Sequence, residues 1–190
     1  ILFNALEALG ASCTSVGRSE VFVAVDTEAV EPSAMAQIHE AMAAGQFDAV
    51  VSMDGDGDRP LLVDAGGSQV SGDVLGALTA RFLAAKAVVT PLTSTSALEE
   101  SGWFETISRT RIGSPYVVEE MARLGADGIV GFEANGGFLM GSDFELPHGR
   151  LKRLPTRDAL LPVIVVLAEA AGRDVSVGDL VAELPARVMR

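Results

Sequence analysis

The sequence predicts an α/β fold: two consecutive α/β units, each with a mixed, mostly parallel sheet sandwiched by helices. Three observations predict it. Short β-branched runs such as Ala49–Met53 and Ala87–Thr90 alternate with stretches at helical spacing, the pattern of strands joined by crossover helices. The 190 residues are 48% hydrophobic and 21% charged, which supplies a real core and excludes a disordered acidic tail. A Gly/Ser-containing stretch, Gly66–Gly72, interrupts the alternation, so the units are expected to divide as 1–72 and 73–190.

The elements follow in order. Leu2, Leu6 and Leu9 sit at helical spacing, with Gly10 positioned to end that helix. Val21–Val25 reads as a buried strand. Pro32 opens a helix that runs through Met35, Ile38 and Met42 to Gly45, with both methionines on the core face. Ala49–Met53 and Leu61–Val63 are the next strands, and Ala65–Ser68 is a turn. Asp73 is expected to cap a helix through Leu75, Leu78 and Phe82. Strands are then expected at Ala87–Thr90, Thr106–Arg109 and Gly128–Phe132, with helices near Ser96–Ser101 and Ser114–Leu124. Trp103 and Phe104 are expected to pack in the core or between units. A long helix is predicted from Pro155 or Thr156 to Gly172, and a short last one over Val177–Glu183.

Charge narrows the function classes. Residues 1–72 carry Arg18 and Arg59 against eleven acidic residues, net −9, and residues 73–190 carry twelve basic against fifteen acidic, net −3. The split marks either two units with different ligands or ordinary variation in surface charge. An overall net charge of −12 disfavours general nucleic-acid or anionic-membrane binding. The lone Cys13 excludes a disulfide framework and a cysteine-built zinc site, and suits a cytoplasmic location. The longest apolar run, Ala159–Ala168, contains Pro162 and is too short to span a bilayer. The chain opens at Ile1 inside an apolar helical pattern, which predicts a segment of something longer.

Asp54-Gly55-Asp56-Gly57-Asp58-Arg59 is the strongest chemical feature. Three carboxylates at alternate positions raise one another's pKa unless a cation joins them. The intervening glycines let the backbone turn so that the oxygens converge. Oxygen donors without Cys or His favour Mg²⁺, Ca²⁺ or Mn²⁺ over zinc. An EF-hand loop fails, because Arg59 stands where Gly is required and Ala65 where Glu is required. An aspartyl-nucleophile phosphatase loop fails as well, since Asp58 replaces the expected hydroxyl residue. Arg59 beside the acids suggests a phosphoryl group near the metal.

Gly131-Phe132-Glu133-Ala134-Asn135-Gly136-Gly137-Phe138 is the second informative stretch. Glu133 and Asn135 suit neighbouring sugar hydroxyls, one as acceptor and one as both donor and acceptor. A plain Asn-Gly hairpin turn between two strands explains the same residues. His39 and His148 have no second His or Cys nearby and do not suggest metal. The basic segment of Arg150, Lys152, Arg153 and Arg157 either faces a sugar phosphate or is a solvated loop. Thr93–Ser96 reads as a cap and loop.

Together the two motifs carry a resemblance. Ser52–Arg59 resembles the magnesium loop of the α-D-phosphohexomutase superfamily, and Glu133–Gly137 resembles its sugar-binding loop in the form seen in some bacterial phosphomannomutases. Leu154-Pro155-Thr156-Arg157-Asp158-Ala159 is similar to the stretch that follows in those proteins. The resemblance implies a chain spanning most of the second of four domains and the third, with phosphohexomutase-type sheets. It implies Mg²⁺ on Asp54, Asp56 and Asp58, with Arg59 as a catalytic residue helping to hold a phosphoserine. Substrate contacts would come from Glu133, Asn135, Arg111 and Ser114, the last also suited to capping its helix. The implied enzyme is a phosphomannomutase, an intramolecular phosphotransferase acting on mannose 6- and 1-phosphate through a hexose bisphosphate. A phosphoglucomutase or dual-specificity enzyme is the alternative, and a non-catalytic Mg²⁺-binding module is the alternative from another class. Two departures stand out: Gly137 replaces a His of many bacterial relatives, and Pro115 replaces a basic side chain. The phosphoserine motif is not in this sequence, so the donor and domains 1 and 4 are expected outside it, and the isolated chain is expected to be inactive.

Overall fold

The computed structural model describes residues 1–21 and 26–186. Beyond Val21, the strand expected at 21–25 lies outside the described residues. Helix α1 (Leu2–Ala8) ends where Gly10 takes φ +93°, as its position foretold. Helix α2 (Pro32–Ala44) begins on its proline and stops at Gly45. None of its residues is fully buried, so Met35 and Met42 lie at a half-covered surface rather than in the core.

Strands β1 (Ala49–Met53) and β2 (Pro60–Asp64) pair antiparallel, Ala49 opposite Asp64 and Met53 opposite Pro60. Among the described residues the first unit therefore holds an antiparallel hairpin, not a parallel pair. The connection Asp54–Arg59 is far too short for the crossover of a dozen or more residues that parallel strands need.

Helix α3 (Gly72–Phe82) follows, with Ser71 at its cap position. Asp73 lies in the first turn instead of capping it, and is buried. It accepts from Ser71 Oγ at 2.7 Å and from the Val74 and Thr95 N–H groups at 2.9 and 2.6 Å. The next elements are β3 (Ala87–Pro91), α4 (Ala97–Ser101), β4 (Thr106–Thr110), α5 (Ser114–Leu124) and β5 (Ile129–Phe132). Four short strands then appear that periodicity did not signal: β6 (Phe138–Met140), β7 (Phe144–Leu146), β8 (Gly149–Leu151) and β9 (Leu154–Asp158). Helices α6 (Leu160–Arg173) and α7 (Val177–Ala182) close the described chain.

The main sheet runs β4-β3-β5-β6-β9. Its β4-β3-β5 ladders are parallel and its β5-β6 and β6-β9 ladders antiparallel, so it is mixed, with the parallel pairing confined to three strands. Residues 154–158 are strand, not the start of α6, because the β6 edge recruits them, with Phe138 opposite Asp158. Asp158 Oδ1 then accepts from the Leu160 N–H at 2.8 Å and starts the helix. At the other end Asp174, in the left-handed region at φ +55°, terminates α6, and Gly172 stays inside it.

Period-two alternation sorts the strands onto two faces. Val88, Val130, Phe132 and Phe138 pack with α3 and α4, the two phenylalanine rings stacked 6.3 Å apart. Ala87, Val89, Ile129 and Leu139 pack under Val117 and Met121 of α5. A third cluster joins Leu62 of β2 to Leu75 and Leu78 of α3, Val166 of α6 and Leu180 of α7. Trp103 and Phe104 are half-buried beside the first cluster, and Arg81 lies over the Trp103 ring at 4.4 Å.

Candidate active site

The β1–β2 hairpin presents the aspartate loop. Gly57 takes φ +77°, a left-handed turn that a side chain resists. This lets Asp54 Oδ1 accept from the Gly57, Asp58 and Arg59 N–H groups, each at 3.1 Å. Asp54 Oδ2 takes the Arg59 Nε at 2.6 Å. Burial opposes ionisation of Asp54, but the Arg59 and Asp58 N–H bonds and the Arg59 guanidinium outweigh it and hold its carboxyl below the ordinary value.

Asp58 has the opposite balance. Burial, together with Asp56 and Asp54 beside it, pushes its carboxyl up, although Arg157 and Arg59 pull the other way. One oxygen of each of Asp54, Asp56 and Asp58 lies within 4.8 Å of the others. Asp58 Oδ1 is buried with no hydrogen bond among the described residues, with Arg59 Nε at 3.5 Å. An all-oxygen donor set with a buried, unbonded carboxylate oxygen fits a hard divalent cation.

The second loop joins β5 to β6. It is a hairpin turn, with the Gly136 N–H on Glu133 O at 3.0 Å and Gly136 at φ +85°. The hairpin reading of this stretch holds, and the same turn carries a buried carboxylate. Glu133 is buried, and its Oε1 accepts from the Gly113 N–H at 3.2 Å. Burial raises the Glu133 carboxyl, against the charge of Arg157, the Gly113 bond and the Asn135 amide. Asn135 Oδ1 accepts from the Gly137 N–H at 3.0 Å.

Gly113 precedes α5 and takes the cap position at φ +123°. Ser114 is therefore the first helical residue, not the cap. Arg111 is exposed and lies over the Tyr116 ring at 4.2 Å.

The loops meet directly. A Cβ on Gly136 would lie 2.8 Å from Pro60 Cγ, and one on Gly72 would overlap the Gly136 amide nitrogen. Arg157, on β9, ion-pairs with Asp58 through Nη2, while its stem crosses Gly137, where a Cβ would lie 2.8 Å from Arg157 Cδ. A cleft of about 480 Å³ opens here, lined by Asp58, Ser114, Pro115, Thr156 and Arg157. The structure thus brings Asp54, Asp56, Asp58, Arg59, Glu133, Asn135 and Ser114 to one region. Among the described contacts it does not bring Arg111 onto the aspartate loop. The sequence held Arg157 only as one member of a basic segment and Gly136 only as part of a turn; it missed their contacts with Asp58 and Pro60, and the role of Gly72. A strand assignment for 154–158 was the signal for Arg157, because it sets that residue beside the Gly137 end of β6.

Comparison with known proteins completes the picture. The family profile described as phosphoglucomutase/phosphomannomutase, alpha/beta/alpha domain III, matches residues 71–188. A phosphomannomutase from Salmonella muenchen is 47% identical over 94% of this chain and 37% of its own length. A phosphomannomutase from Sinorhizobium fredii (strain NBRC 101917 / NGR234) is 44% identical over 96% of this chain and 39% of its own. The chain thus spans less than two fifths of either relative. In fold it is similar to a phosphoglucomutase/phosphomannomutase family protein from Burkholderia thailandensis, with TM-score 0.63 and 19% identity over 83% of this chain and 33% of that one. It is also similar to an N-acetylphosphoglucosamine mutase from Aspergillus fumigatus, with TM-score 0.57 and 17% identity over 80% and 36%. The chain belongs to the phosphoglucomutase/phosphomannomutase family.

Proposed function

We propose that the protein carrying this chain is a phosphomannomutase, interconverting mannose 6-phosphate and mannose 1-phosphate. The observation that carries this reading is the meeting of two distant motifs, with Arg157 joining Asp58 to the Gly137 end of the sugar-type loop. Their sequence similarity to proteins named phosphomannomutase supports it.

On this reading Asp54, Asp56 and Asp58 would hold a magnesium ion, which when bound would supply charge neutralisation for phosphoryl transfer. Arg59, adjoining both Asp54 and Asp58, donates to the phosphoryl oxygens of a phosphoserine supplied from outside these residues. Phosphoryl transfer needs alignment and charge neutralisation more than covalent help, which suits a site of carboxylates and guanidinium groups. Glu133 holds the Gly113 turn with one oxygen, and with Asn135 it grips hydroxyls of the hexose. Ser114 lines the cleft, and Arg111 stands at the exposed edge as an anion contact. Residues 1–72 and 73–190 belong on this reading to consecutive domains, with domains 1 and 4 completing the site. Among the described residues no helix is long and apolar enough to cross a membrane. A cytoplasmic location is part of the same proposal.

The test is turnover of mannose 1-phosphate and glucose 1-phosphate by the purified protein with Mg²⁺. Mannose 1-phosphate is the expected better substrate, and Asp58→Asn is expected to lower kcat at least about a hundredfold. Preference for the glucose ester would move the assignment to a phosphoglucomutase. Mg²⁺ binding without any hexose-phosphate binding would replace the enzyme with a non-catalytic cation-binding module.

A further inference from the structure

The aspartate loop is neutralised from two sides. Arg59 comes from the loop itself and takes Asp54, whereas Arg157 comes from β9 in the main sheet and takes Asp58. Nothing in the local chain compels the second pair. It exists because Gly137 has no side chain and the Arg157 stem crosses the space a Cβ would fill. The guanidinium therefore arrives at Asp58 along a route set by two strands. Asp58 keeps its other oxygen buried and unbonded, so the ion pair leaves that carboxylate half-satisfied. On its other side Arg157 borders the cleft with Ser114 and Thr156, and its charge acts on Glu133.

Building on the metal-site reading above, we propose that Arg157 competes with a divalent cation for Asp58. In the metal-free protein Arg157 is the counter-cation of Asp58 and ties the aspartate loop to the Gly137 end of the Glu133 loop. When a divalent ion supplies that charge, Arg157 releases Asp58 and its guanidinium serves the cleft as a donor to the anionic group of a sugar phosphate. Metal and sugar phosphate then bind cooperatively, because one frees the donor the other needs.

Mn²⁺ titration of the purified protein by electron paramagnetic resonance tests the competition. Arg157→Met keeps a stem over Gly137 and removes the charge, and is expected to bind Mn²⁺ on the order of tenfold more tightly. It is also expected to lose most of the tightening that mannose 1-phosphate confers on Mn²⁺ in the wild type. In the wild type, Mg²⁺ is expected to shift the Arg157 Nε–H resonance, a measurement that needs no variant to fold. Equal or weaker Mn²⁺ binding by Arg157→Met, or an Arg157 resonance indifferent to Mg²⁺, overturns the proposal and leaves the metal site standing. A wild type that binds no Mn²⁺ removes the metal site, and the proposal with it.

Discussion

Residues 1–60 and 61–186 are built differently. Among the described residues of the first stretch only Leu6, Thr27, Asp54 and Pro60 are buried, whereas all three hydrophobic clusters lie in the second. The most diagnostic motif therefore stands on the part with the least core of its own. Its stiffness is borrowed. β2 sends Leu62 into the cluster of α3, α6 and α7, Gly136 packs on Pro60, and Arg157 pairs with Asp58. The lesson is that a charged loop does not need a domain core beneath it if one strand and a few close contacts tether it.

Side-chain truncation probes this contrast with the largest effects. Phe132→Ala is expected to cost about 3–5 kcal/mol and Leu62→Ala about 2–5 kcal/mol in urea unfolding, since both side chains are fully buried. Next comes a close backbone contact inside the second stretch, beside the Pro60–Gly136 tether. Gly72→Ala places a methyl group against the Gly136 amide, and overpacking of this kind costs about 1–3 kcal/mol. The Asp58–Arg157 pair should show a coupling of up to about 1 kcal/mol in a double-mutant cycle without metal, as it is partly exposed. A coupling of zero would detach the loop from β9.

The two aspartates should also differ in pH dependence, with chelator present. Asp54 has a depressed pKa when folded, so its contribution is present above its unfolded value of 3.8 and is lost as pH falls through the folded one. Asp58 has a raised pKa, so its contribution is present below 3.8 and lost as pH rises through the folded value. Asp54→Asn should therefore destabilise at neutral pH and less in acid, while Asp58→Asn should stabilise at neutral pH and not in acid. Matching profiles would mean the loop treats them alike. The smallest effect is expected in α2, where Met42→Ala should cost below about 1 kcal/mol. A cost equal to that of Leu62→Ala would erase the contrast between the two regions.

Much of the fold was legible residue by residue. Helix α5 and strand β1 occupy the expected spans, and β3, β4 and β5 lie within about a residue of theirs. Long periodic stretches and proline or glycine boundaries explain that success. Of the later strands only β6 was in view, as the second arm of the hairpin reading; β7, β8 and β9 were not legible, because Phe144–Leu146, Gly149–Leu151 and Leu154–Asp158 hold charged residues, a glycine or a proline and no β-branched apolar run. The same gap hid Arg157, which looked like one of several basic side chains in a polar loop. Met35 and Met42 misled for a different reason: helical spacing marks a face, but the partner determines whether that face is covered.

By itself the sequence determined the local chemistry. Alternating carboxylates and glycines in Asp54–Arg59, and a glycine turn that carries Glu133 and Asn135, follow from side-chain type and backbone freedom within a few residues. Only the tertiary structure decided which groups answer them. That Gly113 takes Glu133, that Pro60 meets Gly136, and that Arg157 meets Asp58 depends on strand register and on glycines thin enough for close approach. Those pairings join residues far apart in the chain, where no local propensity acts and only packing selects the partner.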